Sequence, residues 1–400
     1  MERSFSNDFA YAIECLKRGA SLVLATIVEV QGSAYRRAGA HILMASDGTK
    51  CGTVSAGCLE ADLAKRLNFN DVPDHPQIIR YNSGADDIFE LNLGCEGSIT
   101  LLVEHYKHES INPVWAHNYA SSSGKFCSLA TICDAADPAL IGERLFFDGH
   151  EFSGFHNTNL ASVRESMQAL CVETLAGRQP VSKHFSQDEL LYRVFCDVIR
   201  PALHLYIFGT GDDVLPLVNF AKALDMVPHV VGWKMRAKIL EPDSHYIRWQ
   251  QPFCLDISHE NSAFVVMSHN YEMDRQFLGD LSRLPVRYIG VMGPKRRTER
   301  MIEELEASTG FDLSKQAQLH YPIGLDLGAD TPAEIALSIL AEIQAVFTQS
   351  QAGFLKAKDG PIHPGAQASR LLLLDGAQMS PVQEHTARPG CPVSSSGHEH

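Results

Sequence analysis

The stretch Leu203-His204-Leu205-Tyr206-Ile207-Phe208-Gly209-Thr210-Gly211 decides the fold of the second half of this chain. Six residues of apolar, β-rich character read as a buried strand. The glycine pair reads as a tight turn, and Asp213 to Asp225 has the pattern of a helix. Val227 to Val231 then supplies a second apolar strand. Strand, glycine turn, helix and strand make one βαβ unit, which places the two strands parallel.

Working outward, Phe264 to Met267 and Arg287 to Val291 add two more parallel strands. Pro294 to Leu305 is a helix dense in Lys, Arg and Glu. Thr331, Pro332 and Glu334 fit N-cap, N1 and N3 of a closing helix, with Ile335, Ile339, Ile343 and Phe347 as its apolar stripe. The region is therefore Rossmann-like. The dinucleotide fingerprint wants a third small residue where Val214 stands, and a ribose-binding acid where Gly232 and Trp233 stand. Three readings of Gly209 and Gly211 remain side by side: a structural turn, an NAD(P) site, or a phosphate-bearing pterin at the helix N-terminus. Lys234 and Arg236 leave room for NADP. His269, beyond the strand at Phe264, reads as an acid–base group or as a hydrogen-bonded loop residue. Lys295, Arg296 and Arg297 follow a strand and a Gly-Pro turn, the ligand-facing end of a parallel sheet, or else decorate a helix face with Glu299, Glu303 and Glu304.

The first half carries a second dense segment, Glu29 to Asp62. His41 to Ala45 and Lys50 to Ser55 are strands around the turn pair Asp47-Gly48. Ser55-Ala56-Gly57-Cys58 leads into a helix over Leu59 to Leu67, so Cys58 falls in a first helical turn. Free backbone N–H groups there favour a thiolate. A buried, inert thiol is the competing reading. Arg36 and Arg37, between Gly32 and Gly39, suit the clamping of an anion, or are solvated charges. Cys95 sits in Gly94-Cys95-Glu96-Gly97, a tight bend before a strand at Ser98 or a second thiol contact. A helix over residues 6 to 18 and strands over Ser21 to Val30, Gln77 to Tyr81 and Ser98 to Glu104 complete a mixed α+β unit. Leu129 to Cys133 and Arg144 to Phe147 read as strands and Ser162 to Ala176 as a helix, in a bridging segment that completes the first domain.

The fold class is α/β. An N-terminal mixed α+β domain with its bridge spans 1–190, a Rossmann-like domain 200–350, and a disordered tail, rich in Gly, Pro, Ser and His, 351–400. The net charge of −14 opposes general nucleic-acid binding. No apolar run reaches membrane-span length and no signal-peptide core opens the chain, so the expected location is cytoplasmic. The ten cysteines form no C-x-x-C pair and the eighteen histidines no H-E-x-x-H spacing, so no metal site is expected.

Gly32-Ser33-Ala34-Tyr35-Arg36-Arg37-Ala38-Gly39-Ala40, then Gly52-Thr53-Val54-Ser55-Ala56-Gly57-Cys58-Leu59-Glu60, then Leu93-Gly94-Cys95-Glu96-Gly97 follow one another in a specific order. In this they resemble the xanthine dehydrogenase accessory protein family (XdhC/CoxI), with Glu96 where the family has glycine. The resemblance continues in Tyr288-Ile289-Gly290, in Gly293-Pro294-Lys295-Arg296-Arg297 and in Asp330 through Ile343. It implies a chaperone that binds molybdenum cofactor, in molybdopterin or dinucleotide form, protects it during sulfuration and loads it into an apo-molybdenum hydroxylase of the xanthine dehydrogenase class. The partners it implies are that enzyme, a cysteine desulfurase and a second copy of the chain. No turnover chemistry is required of such a protein. The contact set expected on this chain is Arg36, Arg37, Cys58, Glu60, Cys95, Gly209, Gly211, His269, Lys295 and Arg296. The alternative is an NAD(P)-dependent oxidoreductase that uses the Gly209 turn.

Overall fold

The computed structural model describes residues 8–32, 34–55, 57–67, 69, 75–81, 97–155, 160–187, 190–232, 245–248, 261–310, 312–313 and 315–359. Cys95, Glu96, Trp233, Lys234, Arg236 and the tail beyond 359 lie outside the described residues.

Helix α1 (Asp8–Lys17) leads into β1 (Leu22–Gly32), β2 (His41–Ala45), β3 (Lys50–Gly52), α2 (Cys58–Arg66), β4 (Gln77–Tyr81) and β5 (Gly97–His105). The strands form an antiparallel sheet in the order β3-β2-β1-β5-β4. Alternation is lost along β1, where the seven residues from Leu22 to Val28 are all buried. Such a strand is covered on both faces. Val23, Ala25 and Ile27 pack with Leu59 and Leu63 of α2, while Leu22 and Leu24 pack with Tyr11 and Cys15 of α1.

The bridging segment is not an appendage of this sheet. It builds a sheet of its own from α3 (Pro113–Ser123), β6 (Cys127–Ala135), β7 (Arg144–Phe147), β8 (Phe152–Gly154), α4 (Ala161–Gly177), β9 (Val181–Gln187) and β10 (Leu190–Ile199). The strand order is β8-β7-β6-β10-β9, again antiparallel. The two units run through the same elements in the same order.

The correspondence reaches individual residues. Leu24-Ala25-Thr26-Ile27 of β1 matches Leu129-Ala130-Thr131-Ile132 of β6. Thr26 pairs with His41, and Thr131 with Arg144. The ladder slips just after Ile27 in one sheet and just after Ile132 in the other. The Gly39 N–H donates to the Ile27 carbonyl, as the Gly142 N–H does to that of Ile132, both at 2.8 Å. Gly52 and Gly154 close the two hairpins at φ 82° and 88°. A Cβ there would stand 2.5 Å from the His41 carbonyl oxygen and 2.7 Å from that of Arg144, so only glycine fits. We read the units as an internal structural repeat.

The units pack face to face through Val28, Leu102, Cys133 and Phe195. Polar contacts edge this seam. Arg144 pairs with Glu104, one of its two contacts being 3.0 Å, and Arg193 Nη1 reaches Glu29 Oε2 at 2.7 Å.

The third sheet contains β11 (His204–Phe208), β12 (Val227–Gly232), β13 (His245–Arg248), β14 (Ser262–Val266), β15 (Tyr288–Val291) and β16 (Leu319–His320). All its pairings are parallel, and the order is β13-β12-β11-β14-β15-β16. This is the doubly wound order of the Rossmann fold. Helices α5 (Val214–Ala223) and α8 (Pro332–Thr348) cover one face, and α6 (Tyr271–Leu281) and α7 (Lys295–Thr309) the other. The expected capping box of α8 is formed: Glu334 N–H donates to Thr331 Oγ1 at 3.3 Å, and Thr331 N–H to Glu334 Oε2 at 2.8 Å. The strand order reverses between β11 and β14, which puts Gly209 and His269 at the switch point where such sheets bind ligands.

Candidate functional site

Two places collect the expected residues: the corner that starts α2, and the switch point of the parallel sheet. At the first, Gly57 has φ 119°, a backbone state that side chains resist, and turns the chain into α2. Cys58 is the first helical residue. Among the seven described cysteines it is the exposed one; the other six are buried.

Glu60 holds this corner in shape. Its side chain is turned back into its own loop and is 2% exposed. Oε1 accepts from Thr53 Oγ1 at 2.7 Å, Val54 N–H at 2.9 Å and Ser55 N–H at 2.7 Å. Oε2 accepts from the Ser55 hydroxyl and from Gly57 N–H at 3.1 Å. Burial pushes the carboxyl up, but the donors of Ser55 and Thr53 outweigh it and hold the group at about 2. Glu60, expected to contact a ligand, instead fixes the loop that presents Cys58. With its acceptors filled by five donors, it offers a ligand little.

Arg36 and Arg37 lie in the loop between β1 and β2, Arg37 exposed and Arg36 half-buried. Ala34, Ala38 and Ala40 seat this loop on the core cluster that contains Val54 and Leu59, so the arginine loop and the Cys58 corner share one support. Gly39 fits where it does because a Cβ would stand 2.3 Å from Asp197 Oδ2 of the second unit.

At the switch point, Gly209 is required by proximity: its Cβ would lie 2.5 Å from the Met267 carbonyl oxygen. Gly211 makes room for Asp213, whose Oδ1 would be 2.3 Å from a Cβ. Asp213 Oδ2 in turn meets His269 Nε2 at 2.7 Å. His269 has φ 59°, an uncommon value for a non-glycine residue, and its ring is 56% exposed. Beside them opens a cavity of about 330 Å³ with Leu217, Met267, Met292, Ile335 and Ile339 as apolar wall and Asp213, His269 and Asp330 as polar rim.

The basic residues expected here stand elsewhere. Among the described residues no lysine or arginine lines the cavity. Lys295 is 66% exposed and faces Glu299 at 3.9 Å, and Arg296 is exposed. Arg297 is bound to buried Asp274 at 2.7 Å, and Asp274 Oδ1 accepts from Ser268 N–H at 3.0 Å and Ser268 Oγ at 2.5 Å. This chain of contacts orients the loop that carries His269. Asp213 opposes the phosphate expected at this turn: its carboxylate leans over Gly211, where an incoming anion would be repelled. The sequence reading passed over Ser55, Thr53 and Asp213. The signal for the last was the Gly-x-Asp spacing itself.

Comparison with known proteins gives two family matches in chain order. Residues 15–69 match the XdhC and CoxI family, and residues 205–343 match the XdhC Rossmann domain. A probable xanthine dehydrogenase subunit of Bacillus subtilis is 27% identical over 80% of this chain and 92% of its own length. The molybdenum cofactor insertion chaperone PaoD of Escherichia coli is 23% identical over 86% of this chain and 91% of its own length. Among solved structures, one described as a xanthine dehydrogenase from Bacillus halodurans superposes with a TM-score of 0.65 at 25% identity, covering 87% of this chain and 98% of that one. The chain thus carries an XdhC and CoxI family segment followed by an XdhC Rossmann domain, and it is homologous along most of its length to the two relatives named.

Proposed function

We propose that this protein binds molybdenum cofactor, shields it and delivers it to an apo-molybdenum hydroxylase of the xanthine dehydrogenase class. The observation that carries the reading is the Cys58 corner, an exposed thiol on a loop locked by a buried carboxylate, in a chain homologous to an insertion chaperone over 86% of its residues. The donor set suits the cargo. A thiol is a soft ligand of the kind that thiophilic metals prefer. Guanidinium groups on the neighbouring loop suit a phosphate. The cargo would supply the redox chemistry to the client enzyme; this chain would bind it, keep water from it and let it go. Binding of moderate strength serves that task, since a very tight complex does not release. Sulfuration of the cargo with a cysteine desulfurase as partner, and a homodimeric carrier, are finer parts of the same reading. Protein expressed in a cofactor-competent host should give pterin fluorescence in near-stoichiometric amounts after oxidation. Extracts without pterin, when a known carrier loads well beside them, contradict the reading.

The strand order of the parallel sheet favours one rival, an NAD(P)-dependent oxidoreductase with His269 as proton donor. Asp213 counts against it, because a pyrophosphate at that turn would meet a carboxylate. Calorimetric titration with NADH and NADPH separates the two. Micromolar binding, about −8 kcal/mol, joined to hydride transfer to a carbonyl substrate favours the oxidoreductase.

A further inference from the structure

The cavity at the switch point of the parallel sheet has no part in the cargo reading, yet it is built as a binding site. Its wall is apolar and includes Met267, Met292 and Ile335. Its volume of about 330 Å³ lies in the lower part of the range for small-molecule sites, roughly 300–1,000 Å³, and suits a molecule of one or two rings. Its rim consists of Asp213, His269 and Asp330. The histidine is held there against its backbone preference, at φ 59°. Both neighbours are fixed. Ser268 N–H donates at 3.0 Å to Asp274, which Arg297 pins at 2.7 Å, and Asn270 Oδ1 accepts from Met273 N–H at 3.1 Å at the start of α6. His269 Nε2 then meets Asp213 Oδ2 at 2.7 Å and holds that carboxylate at the mouth. Among the described residues Asp213 Oδ1 takes no hydrogen bond, and its side chain does not cap α5. Asp330 is tied by its backbone, its N–H donating to Glu334 Oε2 at 3.0 Å, with its carboxylate uncommitted among the described residues.

These features select a chemistry. Ionised carboxylates only accept hydrogen bonds, so the rim asks for N–H donors. It repels anions, and a phosphate that extends from the cavity has to pass it. The two methionines favour a flat aromatic face. A neutral ring with an exocyclic amino group beside a ring N–H meets all three demands, since it offers a carboxylate the two-pronged donor edge of a guanidinium without the charge. We propose that this cavity binds a nitrogen heterocycle of that kind, the edge that guanine and pterins share, in a form without phosphate at the mouth. The site stands on the cavity, its rim and the strained histidine, and not on the cargo reading above. Its ring can come from two sources, a free guanine nucleoside or the pterin of a carried cofactor.

The test is calorimetric titration of the full-length, cofactor-free protein at low salt with guanosine, neopterin, inosine and guanosine monophosphate. Guanosine or neopterin should bind with a Kd below about 1 mM. Inosine, which lacks the amino group, should bind about tenfold more weakly than guanosine. The monophosphate should bind about fivefold more weakly than the nucleoside. Asp213→Asn should weaken guanosine severalfold and narrow the gap between nucleoside and monophosphate, which a merely structural role for Asp213 does not predict. Asp330→Asn, at an exposed position, should act in the same direction and serves if Asp213→Asn fails to fold. Absence of binding by both guanosine and neopterin overturns the site. So does inosine equal to guanosine, a monophosphate that binds as well as the nucleoside, or a guanosine affinity unchanged in both variants. The tighter of guanosine and neopterin assigns the source. Extracts without pterin would defeat the cargo reading and leave the guanosine result standing.

Discussion

In the first antiparallel unit the loop before β2 carries Arg36 and Arg37; in the second, the matching loop before β7 carries Ala139 and Leu140. The match is fixed by hydrogen bonds, since the N–H groups of Ala40 and Glu143 reach back to the carbonyls of Arg37 and Leu140 at 3.2 and 3.1 Å. The first helix after each hairpin differs as well. Helix α2 opens with exposed Cys58 after Gly57, whereas α4 opens with Ala161 after Leu160. What both units keep is backbone necessity: the Leu-Ala-Thr-Ile strand, the slipped ladder and the glycine that closes the hairpin. What only the first carries is an exposed thiol and an arginine pair. A scaffold used twice, with reactive groups on one half, marks those groups as additions that the fold does not need.

The seam between the units offers the largest test. Glu104 on β5 faces Leu24, and Asp197 on β10 faces the matching Leu129, so the two carboxylates hold equivalent places. Arg144 and His41 are likewise matched, each opposite the threonine of its strand. Arg144 holds Glu104 in two contacts, but His41 Nε2 is engaged by Asp8 Oδ2 at 3.0 Å. Arg144→Met should therefore destabilise the protein by about 3–5 kcal/mol, leaving Glu104 partly buried without its cation. The pair Arg144→Met and Glu104→Leu should recover most of that loss in chemical denaturation. Next comes Glu60→Ala, expected to cost roughly 2–3 kcal/mol because the donors of Thr53, Ser55 and Gly57 lose their acceptor. Its sign with pH is set by the lowered folded value: stability from Glu60 is present above the unfolded value of 4.5 and is lost as pH falls toward about 2. A melting series from pH 6 to pH 3 should fall more steeply for the parent than for Glu60→Ala.

Asp197 has the opposite sign. Its folded value of about 7 exceeds the ordinary 3.8, so between those limits the unfolded chain ionises first and stability is lost as pH rises. Asp197→Asn should gain on the order of 1 kcal/mol at pH 8 and little at pH 4. Equal gains at both pH values would show that packing, not charge, governs the position.

The legible part of the fold was its periodic part. Arg144 to Phe147 and Gln77 to Tyr81 are strands with the expected bounds, and the Thr331 box starts α8 as read. The second unit was harder because α3, with Trp115, His117, Asn118 and three serines at its end, lacks a clear apolar stripe, and β9 is largely polar. The repeat itself was readable in Leu24 to Ile27 and Leu129 to Ile132, four identical residues too short to stand out without the sheets. At the site, the position of Cys58 followed from Gly57 and the helix behind it. The inward turn of Glu60 and the lean of Asp213 over Gly211 did not, since both depend on where backbone donors and empty space fall after folding.

The smallest expected change in stability belongs to Cys58→Ala, within about 0.5 kcal/mol of the parent because the side chain is exposed. It is also the most direct test of a first unit that carries the chemistry. Parent and Cys58→Ala should be purified from the same cofactor-competent host, matched for melting temperature, and assayed for oxidised pterin and for transfer to an apo-molybdenum hydroxylase. Retained pterin or transfer that drops severalfold in the variant at unchanged melting temperature is the expected result. Full retention and the parent's transfer rate would contradict the account and leave Cys58 as a surface thiol of the scaffold.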